Sequence, residues 1–339
     1  MSRLLATAAA LLLLTAPAFA QASEAEDISS SIFGPRIPTD DAYGAFQRGY
    51  YLTALAAALP RAEKQDAAAQ TLIAEIYAKG LGVAENPARA AGWYQLASNN
   101  GDKLASFELA LLYENGDGVP ENRERAAALF VKAADAGYVP AKYNVALLMV
   151  EGRYAKPDLL KAAALMKEAA DAELPEAQYD YGTMLVQGAG IAPDSKQGAH
   201  YIGLAAEQGL ISAQIDYATI LYLGDGVPKD LEGAVKWYAA AAGAGNAVAQ
   251  NRYAKLLAAG EGVTANLQDA AMWRALARRQ GLNDTSLDRL LGKIDKDDLA
   301  KGEERARFWP STPPTQTAAA APLDAPVPAT PPVVEPQKP

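Results

Sequence analysis

AQIDYATILYLGDGVPKDLEGAVKWYAAAAGAGN, residues Ala213 to Asn246, decides the fold because the chain repeats its pattern. Copies start at Ala69, Ala105, Ala141, Ala177, Ala213 and Ala249, each 36 residues after the last, with no insertion or deletion. A fixed period of this size marks a stack of supersecondary units, none of which can bury its apolar face alone.

Within each copy the positions have separate physical jobs. The first run has apolar residues at helical spacing, as in Ala105, Leu109, Leu112 and Tyr113. Eleven residues after the starting alanine stands Gly80, Gly116, Gly152, Gly188, Gly224 or Gly260, placed to end that helix in the left-handed region. A second glycine follows two residues on, except at Tyr154. A β-branched residue comes next, except at Ala155, and reads as a plug returning the loop to the helices. Asn86, Asn122, Asp158, Asp194, Asp230 and Asn266 then occupy the N-cap of a second helix, where a side-chain oxygen takes an orphan backbone N–H. That helix carries small residues (Ala90, Ala126, Ala162, Gly198, Ala234, Ala270), a large one such as Trp93, Tyr201 or Trp237, and an alanine four later. It closes on glycine except at Glu173. Small residues at fixed places let helices approach, and large ones fill the gaps between neighbours.

Each unit is therefore helix, tight loop, helix, tight loop, and the fold class is all-α: a superhelical α-solenoid of helix-turn-helix repeats. The alanines, the Gly-x-Gly-Val loop, the Asn/Asp cap and the Trp/Tyr–Ala helix resemble the Sel-one-like repeat family, relatives of tetratricopeptide repeats. The resemblance covers roughly residues 69 to 282. It implies an α-solenoid that binds other proteins, with the first helices lining the concave face.

Around the repeats the composition changes. Residues 1–20 read as a signal peptide: Arg3, then the apolar run Leu4 to Leu14, then a small-x-small site at Ala18-Phe19-Ala20, with cleavage before Gln21. Residues 21–39 form an extended lead-in, and 40–66 a degenerate capping hairpin resembling a tetratricopeptide unit. The repeats occupy 67–282. Residues 283–309 supply two shorter capping helices, as an open solenoid end requires. The Pro- and Ala-rich stretch 310–339 cannot bury a core and reads as a disordered tail. The expected location is periplasmic or secreted, with no integral membrane segment after signal cleavage.

Little in the chain points to chemistry. There is no cysteine, hence no disulfide, thiolate metal site or cysteine nucleophile. His200 is the only histidine, and no nucleophile elbow accompanies it. Asp117-Gly118 and Asp225-Gly226 lack EF-hand spacing and read as tight turns. The net charge of −9, without a basic patch, argues against nucleic acid. No cofactor, metal or catalytic residue is expected, and the chain reads as a non-enzyme.

One polar arc remains, on the first helices. At about 100° per residue, offsets three, six and ten from the starting alanine share one side. The arc carries Glu108, Asn144, Asp180, Asp216 and Arg252 at offset three, Thr183, Thr219 and Lys255 at offset six, and Asn115, Glu151 and Gln187 at offset ten. These are the candidate partner-binding residues, suited to grip an extended or basic peptide. The leading reading is an exported interaction scaffold or regulator for a partner protein or peptide, such as an envelope sensor or assembly protein. Two alternatives stand beside it. One is a cell-wall hydrolase or a penicillin-binding or β-lactamase-like activity, a reading attached to cysteine-rich relatives. The other is a periplasmic inhibitor of a membrane sensor.

Overall fold

A computed structural model describes residues 40–310; the leader, the lead-in up to Thr39 and the tail from Ser311 lie outside the described residues. The described residues form sixteen helices and no strand. Contacts divide the chain into two units, Met1–Asp158 and Leu159–Pro339. The boundary falls inside the third repeat, between its two helices.

The first unit holds α1 (Asp41–Gln47), α2 (Tyr51–Ala62), α3 (Ala67–Ala78), α4 (Pro87–Asn99), α5 (Lys103–Asn115), α6 (Arg123–Asp135) and α7 (Val139–Glu151), each packed on the next. The second unit holds α8 (Leu159–Asp171), α9 (Pro175–Gln187), α10 (Ser195–Glu207), α11 (Ile211–Leu223), α12 (Leu231–Gly243), α13 (Ala247–Ala259) and α14 (Leu267–Arg279), again packed in series. Two more helices, α15 (Thr285–Leu291) and α16 (Lys296–Phe308), both pack on α14.

The loops are built as the spacing requires. Gly116 ends α5 at φ 77°, and its N–H and that of Asp117 both bond the Leu112 carbonyl, 2.9 and 3.0 Å. Asn122 then returns its N–H to Tyr113 O at 2.7 Å while its side chain caps α6 through Arg125 N. The same pair of bonds recurs at Asn86, Asp194, Asp230 and Asn266. Where the third copy lacks glycine, Tyr154 and Glu173 adopt the left-handed conformation themselves, φ 55° and 64°. The second glycine of the loop has a further reason to be glycine. A Cβ at Gly226 would lie 2.4 Å from Ser195 O, and one at Gly262 2.4 Å from Leu231 O. These loops thus rest directly on the backbone that opens the preceding repeat's second helix.

Burial follows the small-residue pattern: Ala90, Ala97, Ala162, Ala205, Ala234, Ala241 and Ala277 are fully buried. In the second unit an aromatic ladder runs Tyr181–Tyr201, Tyr217–Trp237 and Tyr253–Trp273, with centroids 5.0 to 5.8 Å apart, and Trp309 closes it against Trp273. A polar ladder accompanies it. Gln178, Gln214 and Gln250 donate to Ala170 O, Ala206 O and Ala242 O, carbonyls in the last turn of the preceding helix. Gln70 does the same to Ala62 O in the first unit. Each of these carbonyls also takes a backbone N–H from three residues on, as Ala170 O does from Glu173 at 3.0 Å, so the glutamine adds a second bond that ties one helix end to the next helix. Gln208 and Gln280 in turn donate to the Gln178 and Gln250 side-chain oxygens.

The last repeat is locked to its cap by charge. Arg274, 2 % exposed, holds Asp288 with two bonds of 2.7 and 2.8 Å and also donates to Asn251 and Leu282 O. Pairing and full hydrogen bonding are what make a buried guanidinium tolerable.

Candidate functional site

The first helices of the second unit, α9, α11 and α13, carry the offset-three and offset-six residues as a row. Asp180 is half-buried and Asp216 exposed. Asp216 accepts a 2.8 Å bond from Tyr179 Oη, which links neighbouring repeats. Burial and that bond push the Tyr179 phenol up to about 12. Thr183 donates back to Tyr179 O, 2.9 Å, leaving its oxygen as an acceptor. Gln187 is exposed at the end of α9.

The end of the row is a built polar cluster. Thr219 Oγ1 donates to Ile215 O at 2.8 Å. That uses its one proton, so Tyr238 Oη donates to Thr219 across 2.8 Å. Arg252 Nη1 then donates to both oxygens, 2.5 Å to Thr219 and 2.9 Å to Tyr238, with its guanidinium 5.7 Å from the Tyr238 ring centroid. Lys255 pairs with Asp284 at 2.6 Å. Arg252, Lys255, Thr219 and Tyr238 line one pocket with Tyr222, Leu223, Leu256 and Glu261, about 490 Å³ in volume.

In the first unit the same register holds the opposite charge. Tyr94, the equivalent of Tyr238, donates to Glu75 Oε1 at 2.7 Å. Glu75 also pairs with Lys79 at 2.5 Å. Glu108, at the position of Arg252, is half-buried. Burial, then the neighbouring Glu75 carboxylate, hold its carboxyl above the ordinary value against the pull of Lys79. Asn144 donates to Pro140 O at 3.0 Å. Asn115 and Glu151 are exposed and lie together on a separate cleft of about 320 Å³, between Phe130 and the exceptional Tyr154.

The structure thus brings ten of the eleven sequence candidates to three places: the row Asp180, Thr183, Asp216, Thr219, Arg252, Lys255 with Gln187 at its edge; the Glu108 cluster; and the Asn115–Glu151 cleft; Asn144, on the next first helix, bonds back to its own helix. Tyr94, Tyr238, Tyr222, Glu75 and Lys79 join these places without having been singled out by sequence. A signal for two of them existed, since tyrosine stands at the same second-helix offset only in the first and fifth copies. His200 is exposed, with its ring 5.6 Å from that of Tyr201. Among the described residues no group of three or more His, Cys, Asp or Glu is arranged to hold a metal. No described helix is long and apolar enough to cross a membrane.

The family model for the Sel1 repeat matches six consecutive segments, residues 67–102, 103–138, 139–174, 175–210, 211–246 and 247–282. The chain belongs to the Sel1 repeat family. Among solved structures, a Sel1 repeat protein from Oxalobacter formigenes is similar at 28% identity and a TM-score of 0.63, over 73% of this chain and 100% of that one. A protective antigen present in uropathogenic Escherichia coli strains, with an SLR fold, is similar at 23% identity and a TM-score of 0.65, over 75% of this chain and 58% of the antigen. The chain thus spans just over half the antigen's length, and that likeness carries the fold alone. No curated protein matches the chain in sequence.

Sel1 repeats serve in general as protein-interaction scaffolds and not as catalytic folds. In this Sel1 protein the conserved spacing of the unit explains the helices, loops and caps. The polar row varies from copy to copy, from Glu108 through Asp216 to Arg252, and is not dictated by that spacing.

Proposed function

We propose that this Sel1 protein is an exported scaffold or regulator that binds a partner protein or peptide on the first-helix face, without catalysis. The observation that supports this reading most is the row on α9, α11 and α13. There Asp216 is exposed, and the Tyr179 and Tyr238 hydroxyls orient its charged groups in advance of any ligand. Pre-oriented donors and acceptors lower the entropy lost on binding. An extended peptide would meet acceptors at Asp180 and Asp216, which favour a basic residue there. Export rests on the leader-like residues 1–20.

The test uses the mature protein and a partner captured from envelope extract, with affinity then measured on the purified pair. Asp180→Ala with Asp216→Ala should weaken binding by about tenfold, about 1.4 kcal/mol, at unchanged helicity. An unaltered affinity would place the interaction off this face.

A further inference from the structure

The pocket at the end of the row has a charge that the rest of the face does not. Arg252 is half-buried and is held by two neutral hydroxyls, Thr219 and Tyr238. Among the described residues no carboxylate pairs with it, whereas Arg274, Arg278, Arg305 and Lys255 each have one. A partly desolvated guanidinium without a counter-ion is completed by an anion from outside, and its planar fork suits a carboxylate. The Thr219–Tyr238 pair fixes the fork, so little freedom is lost when the anion arrives. Leu256 and Ala259 supply an apolar wall, with Leu223 65% exposed at the edge, and Lys255 beside them is already paired with Asp284. Glu261 also lines the pocket and accepts from Tyr222 Oη at 2.7 Å. Its charge opposes a polyanion, so an anion is held here by the directed bonds of the Arg252 fork and not by a net positive charge.

We infer that the pocket formed by Arg252, Thr219, Tyr238, Tyr222 and Leu256 is a carboxylate subsite, which takes one carboxylate of a bound peptide together with a neighbouring apolar side chain. The inference rests on the proposed peptide-binding face and names the chemistry of one end of it. The peptide favoured by the whole row is therefore of mixed sign, basic against Asp180 and Asp216 and acidic against Arg252. The carboxylate has two sources, an internal Glu or Asp side chain or a free chain end.

Three short probes separate these outcomes on the full chain by titration calorimetry at low salt: acetyl-Leu-Glu-Leu-amide, acetyl-Leu-Gln-Leu-amide, and acetyl-Leu-Gln-Leu with a free carboxylate. At least one carboxylate probe should bind about tenfold more tightly than the uncharged amide. A preference for the glutamate probe assigns an internal acid, and a preference for the free end assigns a terminus. Arg252→Gln should erase the preference, Arg252→Lys should keep part of it, and Arg279→Gln, on the exposed end of α14, should leave it whole. Thermal unfolding of each variant separates lost binding from lost fold. Equal binding of all three probes, no binding at about 10 mM, or a preference that survives Arg252→Gln in a folded protein would overturn the inference. If the Asp180/Asp216 double variant still loses its partner in that case, the binding face stands and only the carboxylate subsite falls.

Discussion

Gly226 and Gly209 are both left-handed, φ 72° and 90°, yet they are glycine for different reasons. A Cβ at Gly209 meets nothing within 4 Å, whereas one at Gly226 would sit 2.4 Å from Ser195 O and 2.5 Å from its carbonyl carbon. Gly209→Ala should therefore cost only the strain of a positive φ, about 1 kcal/mol. Gly226→Ala must also push two repeats apart and should cost about 2–3 kcal/mol more. Chemical denaturation of the two variants checks this, and equal losses would show that the loop does not bear on the preceding helix. Glu108 gives a second residue-scale test. Its folded carboxyl titrates above the unfolded value because of burial and Glu75, so its charged form is disfavoured in the fold. The penalty is absent at low pH, where both states are protonated, and appears as pH rises through the unfolded value, about 4.3. Glu108→Gln should raise the melting temperature at pH 7 and leave it nearly unchanged at pH 3. A lower melting temperature at pH 7 would mean that the charge of Glu108 is stabilised in the fold.

At the scale of the element, the second helices are positioned by their caps and the last repeat by its charge lock. Asp230 caps α12 through Gly233 N at 2.8 Å, and Asp194 caps α10 through Gln197 N at 2.9 Å. Replacing either by Ala should cost about 1 kcal/mol without touching the polar row. The lock on α15 has a pH dependence of definite sign. Burial opposes the charge of Asp284, but bonds from Lys255, Ser286, Asn251 and Leu287 N–H outweigh it and hold its carboxyl well below the ordinary range. Asp288 is lowered in the same direction by Arg274. The stability these groups provide is complete above the unfolded value, about 3.9, and is lost as pH falls through their folded values. Acid titration followed by Trp273 and Trp309 fluorescence should report loosening of the cap below about pH 4. Asp284→Asn should flatten that acid limb, and an unchanged limb would assign it to other carboxylates.

For the molecule as a whole, the period, the loop glycines and the Asn/Asp caps were legible in the sequence because each repeats in fixed phase. A backbone requirement such as the positive φ at Gly116 imposes the same residue on every copy. The glutamine ladder was less visible, since glutamine stands one residue after the starting alanine in four copies while Ser106 and Lys142 break the series. The candidate row was visible only as an arc. Which members pair internally depends on neighbours in the next repeat, as with Tyr179 and Asp216, 37 residues apart, or Arg252 and Thr219, 33 apart. No local pattern carries that information. The opposite charge of the two tyrosine-centred clusters, Glu75–Tyr94–Glu108 and Thr219–Tyr238–Arg252, emerges only when the copies are compared in register. Export belongs to this scale too. N-terminal sequencing of the protein recovered from cells should begin at Gln21, and an intact Met1 in a soluble cytoplasmic pool would contradict it.

The proposed partner lies along the first helices. Photo-crosslinking residues placed one at a time at Thr183, Asp216 and Lys255 on that face, and at Lys196 and Lys236 on the second helices, address it directly in living cells. One discrete adduct, of the same partner, is expected from the three first-helix positions and none from the two second-helix positions. Adducts confined to Lys196 and Lys236, or to neither set, would contradict it.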